Sequence, residues 1–281
     1  MKKLFSIVLA ALMVAALFAG CGSSTAETKA PETTAAPAAV AETTAAPAET
    51  EAAAAAFTTI EAGKLIMSTN AAFPPYEMVA DDGSFEGIDV EIAGAVAAKL
   101  GLELVVDDMD FDAALLAVQQ GKSDIVMAGV TVNEDRKMVM NFSDTYSKGV
   151  QVVIVKEGSD VTLDNLGDQM IGTQRGTTGY IYTSGDYGDD HVTAYDNGAS
   201  AVQALMNGQV DCVVIDSAPA QAFVENNPGL TILDTEYTSE DYAIGMNKDN
   251  TALLDAVNAA LAELTADGTI PAIVEKYIPT K

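Results

Sequence analysis

From residue 65 onward the chain alternates, twice over, between short apolar runs and stretches of helical period, which leaves few folds open. Residues 65–67 read as a first strand, 102–106 as a second and 125–127 as a third. Between the first two, apolar residues recur at Ile88, Ile92, Ala95, Val96 and Leu100, and Gly101 supplies a stop. Residues 111–120 read as a second helix. A βαβαβ order predicts a parallel, doubly wound sheet. The β-branched run 151–155 is expected to begin anew after residues 143–149. A second alternation follows, with strands at 170–171, 192–193, 210–215, 230–233 and 242–246 and helices over 177–183, 200–206 and 218–225. Two further helices, 251–264 and 270–277, are left over at the carboxyl end.

The first 56 residues cannot share that core. Lys2 and Lys3 precede an apolar run over residues 4–18, short for a membrane span and suited to a signal-peptide core. Phe18-Ala19-Gly20-Cys21 closes the run and resembles a bacterial lipobox, although Phe18 stands where Leu is commoner. The expectation is a signal peptide over 1–20, cleavage before Cys21 and lipid attachment to its sulfur. The alternative is an ordinary secretory signal with an incidental Cys. Residues 22–56 are nearly all Ala, Thr, Glu, Pro, Ser and Gly, with a near repeat at 32–38 and 42–48, so 21–56 reads as a lipidated Cys followed by a disordered acidic linker.

Composition excludes several function classes. The formal net charge of −27 argues against nucleic acid and against electrostatic attachment to anionic lipid. Cys21 and Cys212 are the only cysteines, so lipidation of Cys21 leaves no intrachain disulfide, and Cys212 in its apolar run reads as a small buried hydrophobe. One His and no Cys/His cluster leave no expected metal or other cofactor.

Residues 124–137 hold the strongest site signal. A buried strand ends at Ala128-Gly129, and Thr131 and Arg136 follow five residues apart. Gly129 allows close backbone approach, Thr131 offers a hydroxyl, and Arg136, carried on a short helix opened by Asn133 and Glu134, offers a fork for a carboxylate. The plainer alternative is a turn and a surface Arg paired with Glu134 or Asp135. This stretch resembles the ligand-binding segment of the family 3 solute-binding proteins, the polar amino acid receptors of ABC importers, and the likeness runs from about Gly63 to Tyr277.

The resemblance implies a periplasmic-binding-protein-like fold of type II: two doubly wound α/β lobes joined by a two-strand hinge. The lobes would be residues 57–150 plus 247–281 and residues 151–246, with crossings near 152–155 and 243–245. It implies that Gly129, Thr131 and Arg136 hold the α-amino and α-carboxylate groups of a free amino acid. Further site residues follow position by position. Phe73 and Phe111 match aromatics that pack on the ligand side chain. Asn70 and Gln174 match positions that select it, and Asn70 is neutral where receptors for basic ligands often carry Asp. Glu91 sits where some of those receptors have a second acid; its other reading is an exposed helix face. Thr177 and Thr178 open a helix whose free N–H groups suit a carboxylate. Asp216 matches the Asp that pairs with the ligand ammonium, or else caps the helix after it.

The expected function is a monomeric, extracytoplasmic receptor, lipid-anchored to the cell membrane, that closes on a free polar amino acid and delivers it to an ABC permease. Glutamine, arginine, lysine, histidine and cystine all stay open. An enzyme is not expected; a periplasmic dehydratase of related fold would have to use Glu77 or Glu91, which no motif supports. A sensory lipoprotein using the same pocket is the third reading.

Overall fold

A computed structural model describes residues 57–234 and 236–279. The expected signal peptide, Cys21 and the linker lie outside the described residues. Among the latter, no helix is long and apolar enough to cross a membrane.

In chain order the elements are β1 (Lys64–Thr69), β2 (Ala72–Phe73), β3 (Glu77–Val79), β4 (Phe85–Glu86), α1 (Ile88–Leu100), β5 (Glu103–Asp108), α2 (Phe111–Gln119), β6 (Ile125–Val126), α3 (Glu134–Val139) and β7 (Met140–Lys156). There follow β8 (Ile171–Gln174), α4 (Thr178–Tyr187), β9 (Val192–Tyr195), α5 (Gly198–Met206), β10 (Cys212–Asp216), α6 (Ser217–Asn226), β11 (Leu230–Ile232), β12 (Thr238–Asn247), α7 (Thr251–Ala266) and α8 (Thr269–Tyr277).

The large sheet runs β5-β1-β6-β12-β7-β10-β8-β9, with β11 also on β7. It contains two parallel blocks, β5-β1-β6 and β9-β8-β10, each with its first strand in the middle. Strands β7 and β12 are antiparallel to one another and lie between the blocks. Both faces are covered, which is why the strands read as unbroken apolar runs. Along β7, Val152 and Ile154 enter one core cluster and Val153 and Val155 another; Val213 and Ile215 of β10 divide from Cys212 and Val214 in the same way.

One expectation is corrected. Residues 140–156 form one continuous 17-residue strand instead of a new run beginning at 151. Polar residues such as Asp144 and Ser147 hide its continuity, because only part of the strand is covered. Val152–Val155 pair with β10 at the edge of the second block, and the stretch between the blocks is the ladder of Thr145–Val150 with Ser239–Ala243, with register shifts between Tyr242 and Ala243 and between Ala243 and Gly245.

The last two helices return to the first half. Leu253, Val257, Ala260, Leu261 and Leu264 give α7 a buried stripe at helical spacing, and it packs on α1 and β7. Helix α8 packs on α1 and α7.

A small hairpin sheet, β2-β3-β4, had no signal in the periodicity. It is pinned by Gly87, whose φ is +127° and where an added Cβ would lie 2.3 Å from the Tyr76 carbonyl oxygen. Backbone on both sides of that contact cannot give. Gly87→Ala is therefore expected to destabilise the protein by about 3 kcal/mol or more, read by chemical denaturation. A loss below about 0.5 kcal/mol would contradict the contact, since that is the range of a neutral surface change.

Candidate functional site

The carboxyl ends of β1, β6, β8 and β10 point residues into one cavity. Crevices beyond such strand ends, where the strand order reverses, are where open α/β sheets hold ligands. Its lining includes Asn70, Phe73, Phe111, Gly129, Thr131, Arg136, Gln174, Thr177, Thr178 and Asp216. Ten of the eleven ligand-site residues expected from the sequence thus meet in one place.

Glu91 is the exception, and the expectation is corrected. Its carboxylate pairs with Lys276 Nζ and accepts from Tyr277 Oη at 2.6 Å. Both partners sit on α8, whose return to α1 turns this helix face away from the cavity and gives Glu91 other work. The expected result of Glu91→Gln is a change in ligand affinity within about twofold by calorimetry, as for a surface pair worth at most about 1 kcal/mol. A tenfold loss would put Glu91 back in the site.

Arg136 is placed by local sequence. The Asn133 side chain accepts from the Arg136 N–H at 2.8 Å, so α3 starts there and Arg136 falls in its first turn. The guanidinium is buried, with Nη1 donating to the Thr131 carbonyl at 2.9 Å and Nη2 to the Gly176 carbonyl at 3.1 Å. It also lies over the Phe111 ring, 5.4 Å from the centroid. Burial lowers its pKa and the neighbouring Glu240 opposes that shift, but an Arg stays charged in any case.

Gly129 has φ of +55°, and a Cβ there would meet the Phe73 ring at 2.8 Å. Its N–H donates to Asp89 Oδ2 at 2.9 Å. Phe73 stacks on Tyr76, which meets Tyr242 edge-on, so the aromatics form one wall. Asn70 Oδ1 accepts from Gln174 Nε2 at 2.9 Å, a side-chain bond across the cavity, and Gln174 Oε1 is buried without a partner among the described residues. The Thr177 side chain caps α4 by accepting from the Tyr180 N–H. Thr178 Oγ1 lies 3.3 Å from Thr131 Oγ1.

Asp216 occupies both of its sequence-level roles. It caps α6 by accepting from the Ala218 N–H at 3.2 Å, and it lines the cavity, accepting from Tyr242 Oη at 2.6 Å. It is fully buried, and that burial pushes its carboxyl up to about 6.

Five further residues at or behind the cavity escaped the sequence reading as site residues. Glu77, Gln151 and Tyr242 line it; Glu240 and Asp89 stand directly behind it. Glu240 and Tyr242 are two apart on β12 and so share a face, a signal legible only once the strand is known to border a site. Glu77 and Asp89 are both fully buried and interact. Burial first, then Asp89, holds Glu77 well above the usual carboxylate range, and burial pushes Asp89 up to about 6. Four buried carboxyls, Glu77, Asp89, Asp216 and Glu240, thus surround the cavity with Arg136 as the one buried cation there among the described residues.

Elsewhere, Cys212 is buried and its thiol is pushed up to about 12 by that burial, as a small core residue would be. No cluster of three or more metal-ligating side chains occurs among the described residues.

Residues 65–280 match the sequence profile of the bacterial extracellular solute-binding proteins, family 3. The chain is 33% identical over 218 residues to the probable histidine-binding protein of Neisseria gonorrhoeae, spanning 75% of this chain and 81% of that one. It is 28% identical over 228 residues to an ABC transporter arginine-binding protein of Escherichia coli, spanning 79% and 94%. An ancestral arginine-binding protein bound to glutamine superposes with a TM-score of 0.74 at 38% identity, covering 78% of this chain and 99% of that one.

Proposed function

The chain belongs to the bacterial extracellular solute-binding proteins of family 3, and from that premise we propose that it captures a free amino acid and delivers it to an ABC permease. One observation carries this reading. Arg136 and Asp216 are buried ions of opposite sign that line the same cavity, and neither has an ion-pair partner among the described residues. A zwitterion satisfies both at once. Arg136 and the N–H groups at the start of α4, near Thr177 and Thr178, take the carboxylate; Asp216, Thr131 and the Gly129 carbonyl take the ammonium. Charge-assisted bonds of this kind contribute about 1.5–3 kcal/mol each, and a buried charge left alone costs comparably, which selects free amino acids over simple acids or amines.

The cavity wall narrows the ligand class. Glu77 beside Asp89 faces no cation of the protein, so a guanidinium or ammonium side chain complements that wall better than an amide. Phe73 and Phe111 would flank its aliphatic stem. Arginine is ranked first on this ground. Asn70 and Gln174 are neutral amides that also suit glutamine, the ligand held by the ancestral relative.

The two lobes are taken as residues 57–150 plus 247–281 and residues 151–246, closing through β7 and β12. Contacts from both to one ligand would favour the closed form. The receptor acts as a monomer, held at the extracytoplasmic face of the cell membrane by lipid on Cys21 and the acidic linker. The test is a thermal-shift panel of the twenty amino acids and cystine. A ligand at 100 times its Kd adds about 2.7 kcal/mol to stability. A shift confined to one or a few polar amino acids is expected, with L-arginine largest. No shift with any of them would overturn the reading.

A further inference from the structure

Glu240 is buried behind the cavity, and its hydrogen bonds constrain what its neighbours can offer a ligand. It lies on β12, between the two parallel blocks. Its Oε2 accepts twice, from Thr131 Oγ1 at 3.1 Å and from Gln151 Nε2 at 3.0 Å. Thr131 and Gln151 both line the cavity; Glu240 does not.

A threonine hydroxyl has one proton and two lone pairs. With that proton on Glu240, the Thr131 oxygen presents only lone pairs to everything else, including Thr178 Oγ1 beside it. The same holds for Gln151. A carboxylate can face only the NH₂ end of an amide, so Glu240 turns Nε2 toward itself. The other end, Gln151 Oε1, is buried and has no partner among the described residues. It lies against α4, where a Cβ added at Gly179 would stand 3.0 Å from it.

We propose that Glu240 is a positioning residue that sets hydrogen-bond polarity: by accepting a hydrogen bond from the Thr131 hydroxyl it fixes that oxygen as an acceptor for the ligand ammonium, and by accepting from Nε2 it fixes which way the Gln151 amide faces. The inference rests on the zwitterion reading and adds the group that enforces it without touching the ligand. Thr131 can no longer donate to a carboxylate, so a ligand bound the wrong way round meets acceptors where it needs donors. At the other end the Arg136 guanidinium donates only. Orientation is then set by two groups of opposite polarity.

The test compares two pairs of probes by calorimetry: L-arginine with 5-guanidinopentanoic acid, and L-glutamine with glutaramic acid. Each second member lacks only the α-ammonium. In Glu240→Gln the side chain keeps its shape but can donate, which releases Thr131 and Gln151 to present protons. Affinity for the amino acid is expected to fall by about 10-fold or more, the scale of one lost charge-assisted bond, while the des-amino analogue changes by less than about twofold. The ratio is the readout, because a merely structural role would lower both members together. A second series keeps the proposal falsifiable if Glu240→Gln folds poorly. Thr131→Val should lose part of the same discrimination, and adding Glu240→Gln to it should then remove less than it does alone. Equal losses for both members of a pair, or an unchanged ratio in Glu240→Gln and Thr131→Val, would overturn the role of Glu240 while the receptor reading stands. If the thermal-shift panel names another amino acid, that amino acid and its des-amino analogue take the place of these pairs; if it names none, the receptor reading fails first and the proposal with it.

Discussion

Arg136→Ala is expected to lower amino acid affinity by at least about 100-fold and to erase the ligand-induced rise in melting temperature. The guanidinium is the one buried cation at the cavity among the described residues, so a ligand carboxylate would enter a site otherwise walled by carboxyls. A charge-assisted, bidentate contact contributes about 3 kcal/mol or more in such a place, and leaving the carboxylate unpaired adds a comparable cost. Arg136→Lys should recover only part of the loss. An ammonium on a flexible stem keeps the charge, but it cannot hold the Thr131 and Gly176 carbonyls and present a fork at the same time. The stability of the free protein separates the two effects. Removing Arg136 strands those two carbonyls but relieves a desolvated charge, so the unliganded melt should move far less than the affinity does. Affinity within threefold of the unsubstituted protein in Arg136→Ala would remove the carboxylate assignment altogether.

The second large effect is at Asp216, where stability and affinity should move in opposite directions. Burial pushes its carboxyl up to about 6 from an ordinary value of 3.8, so the folded chain holds this proton more tightly than the unfolded chain does. Between those two values the folded state binds more protons, and the stability of the free protein therefore rises as pH falls through about 6 toward 4. At neutral pH the ionised carboxylate costs up to about 3 kcal/mol. Asp89, also pushed up to about 6 by burial, adds to the same trend. Asp216→Asn should therefore raise the melting temperature of the free protein at pH 7. Asn is a good cap for α6, its carbonyl oxygen standing for the Oδ1 that accepts from the Ala218 N–H, and its NH₂ group, in the place of Oδ2, can donate to the Tyr242 hydroxyl. The same change should cost about 100-fold in amino acid affinity, because the ammonium loses its counter-ion. In the unsubstituted protein the ligand-induced shift should shrink below pH 6 while the free protein grows more stable. A variant that loses stability at pH 7 yet keeps its affinity would show Asp216 to be a helix cap and nothing more.

Part of this site is written locally in the chain. Asn133 capping the turn that carries Arg136, Thr177 capping α4 and Gly101 ending α1 in a left-handed turn each depend on a few neighbouring residues. Hydrophobic period acts over a similar range, which is why the eight α-helices described here could be read from the sequence, the short one at Arg136 from its opening residues Asn133 and Glu134. The two parallel blocks follow from the strand–helix alternation, because a parallel sheet of this kind needs its crossover helices.

What tertiary structure alone decided is which distant residues share a space. Nothing near Glu91 announces that α8, nearly two hundred residues on, returns to α1 with Lys276 and Tyr277 and claims that carboxylate. The 17-residue run of β7 is hidden because its polar residues lie where the strand passes between the blocks, and only the antiparallel partner β12 explains them. The acid cluster is hidden for the same reason. Asp216 is marked by the resemblance, but Glu77, Asp89 and Glu240 each look like ordinary surface or turn residues until the fold strips them of water and sets all four around one guanidinium. Period and capping act between neighbours in the chain, so the elements could be read one by one. The charge balance of a site is a sum over residues from the whole chain, and only packing decides which of them enter it.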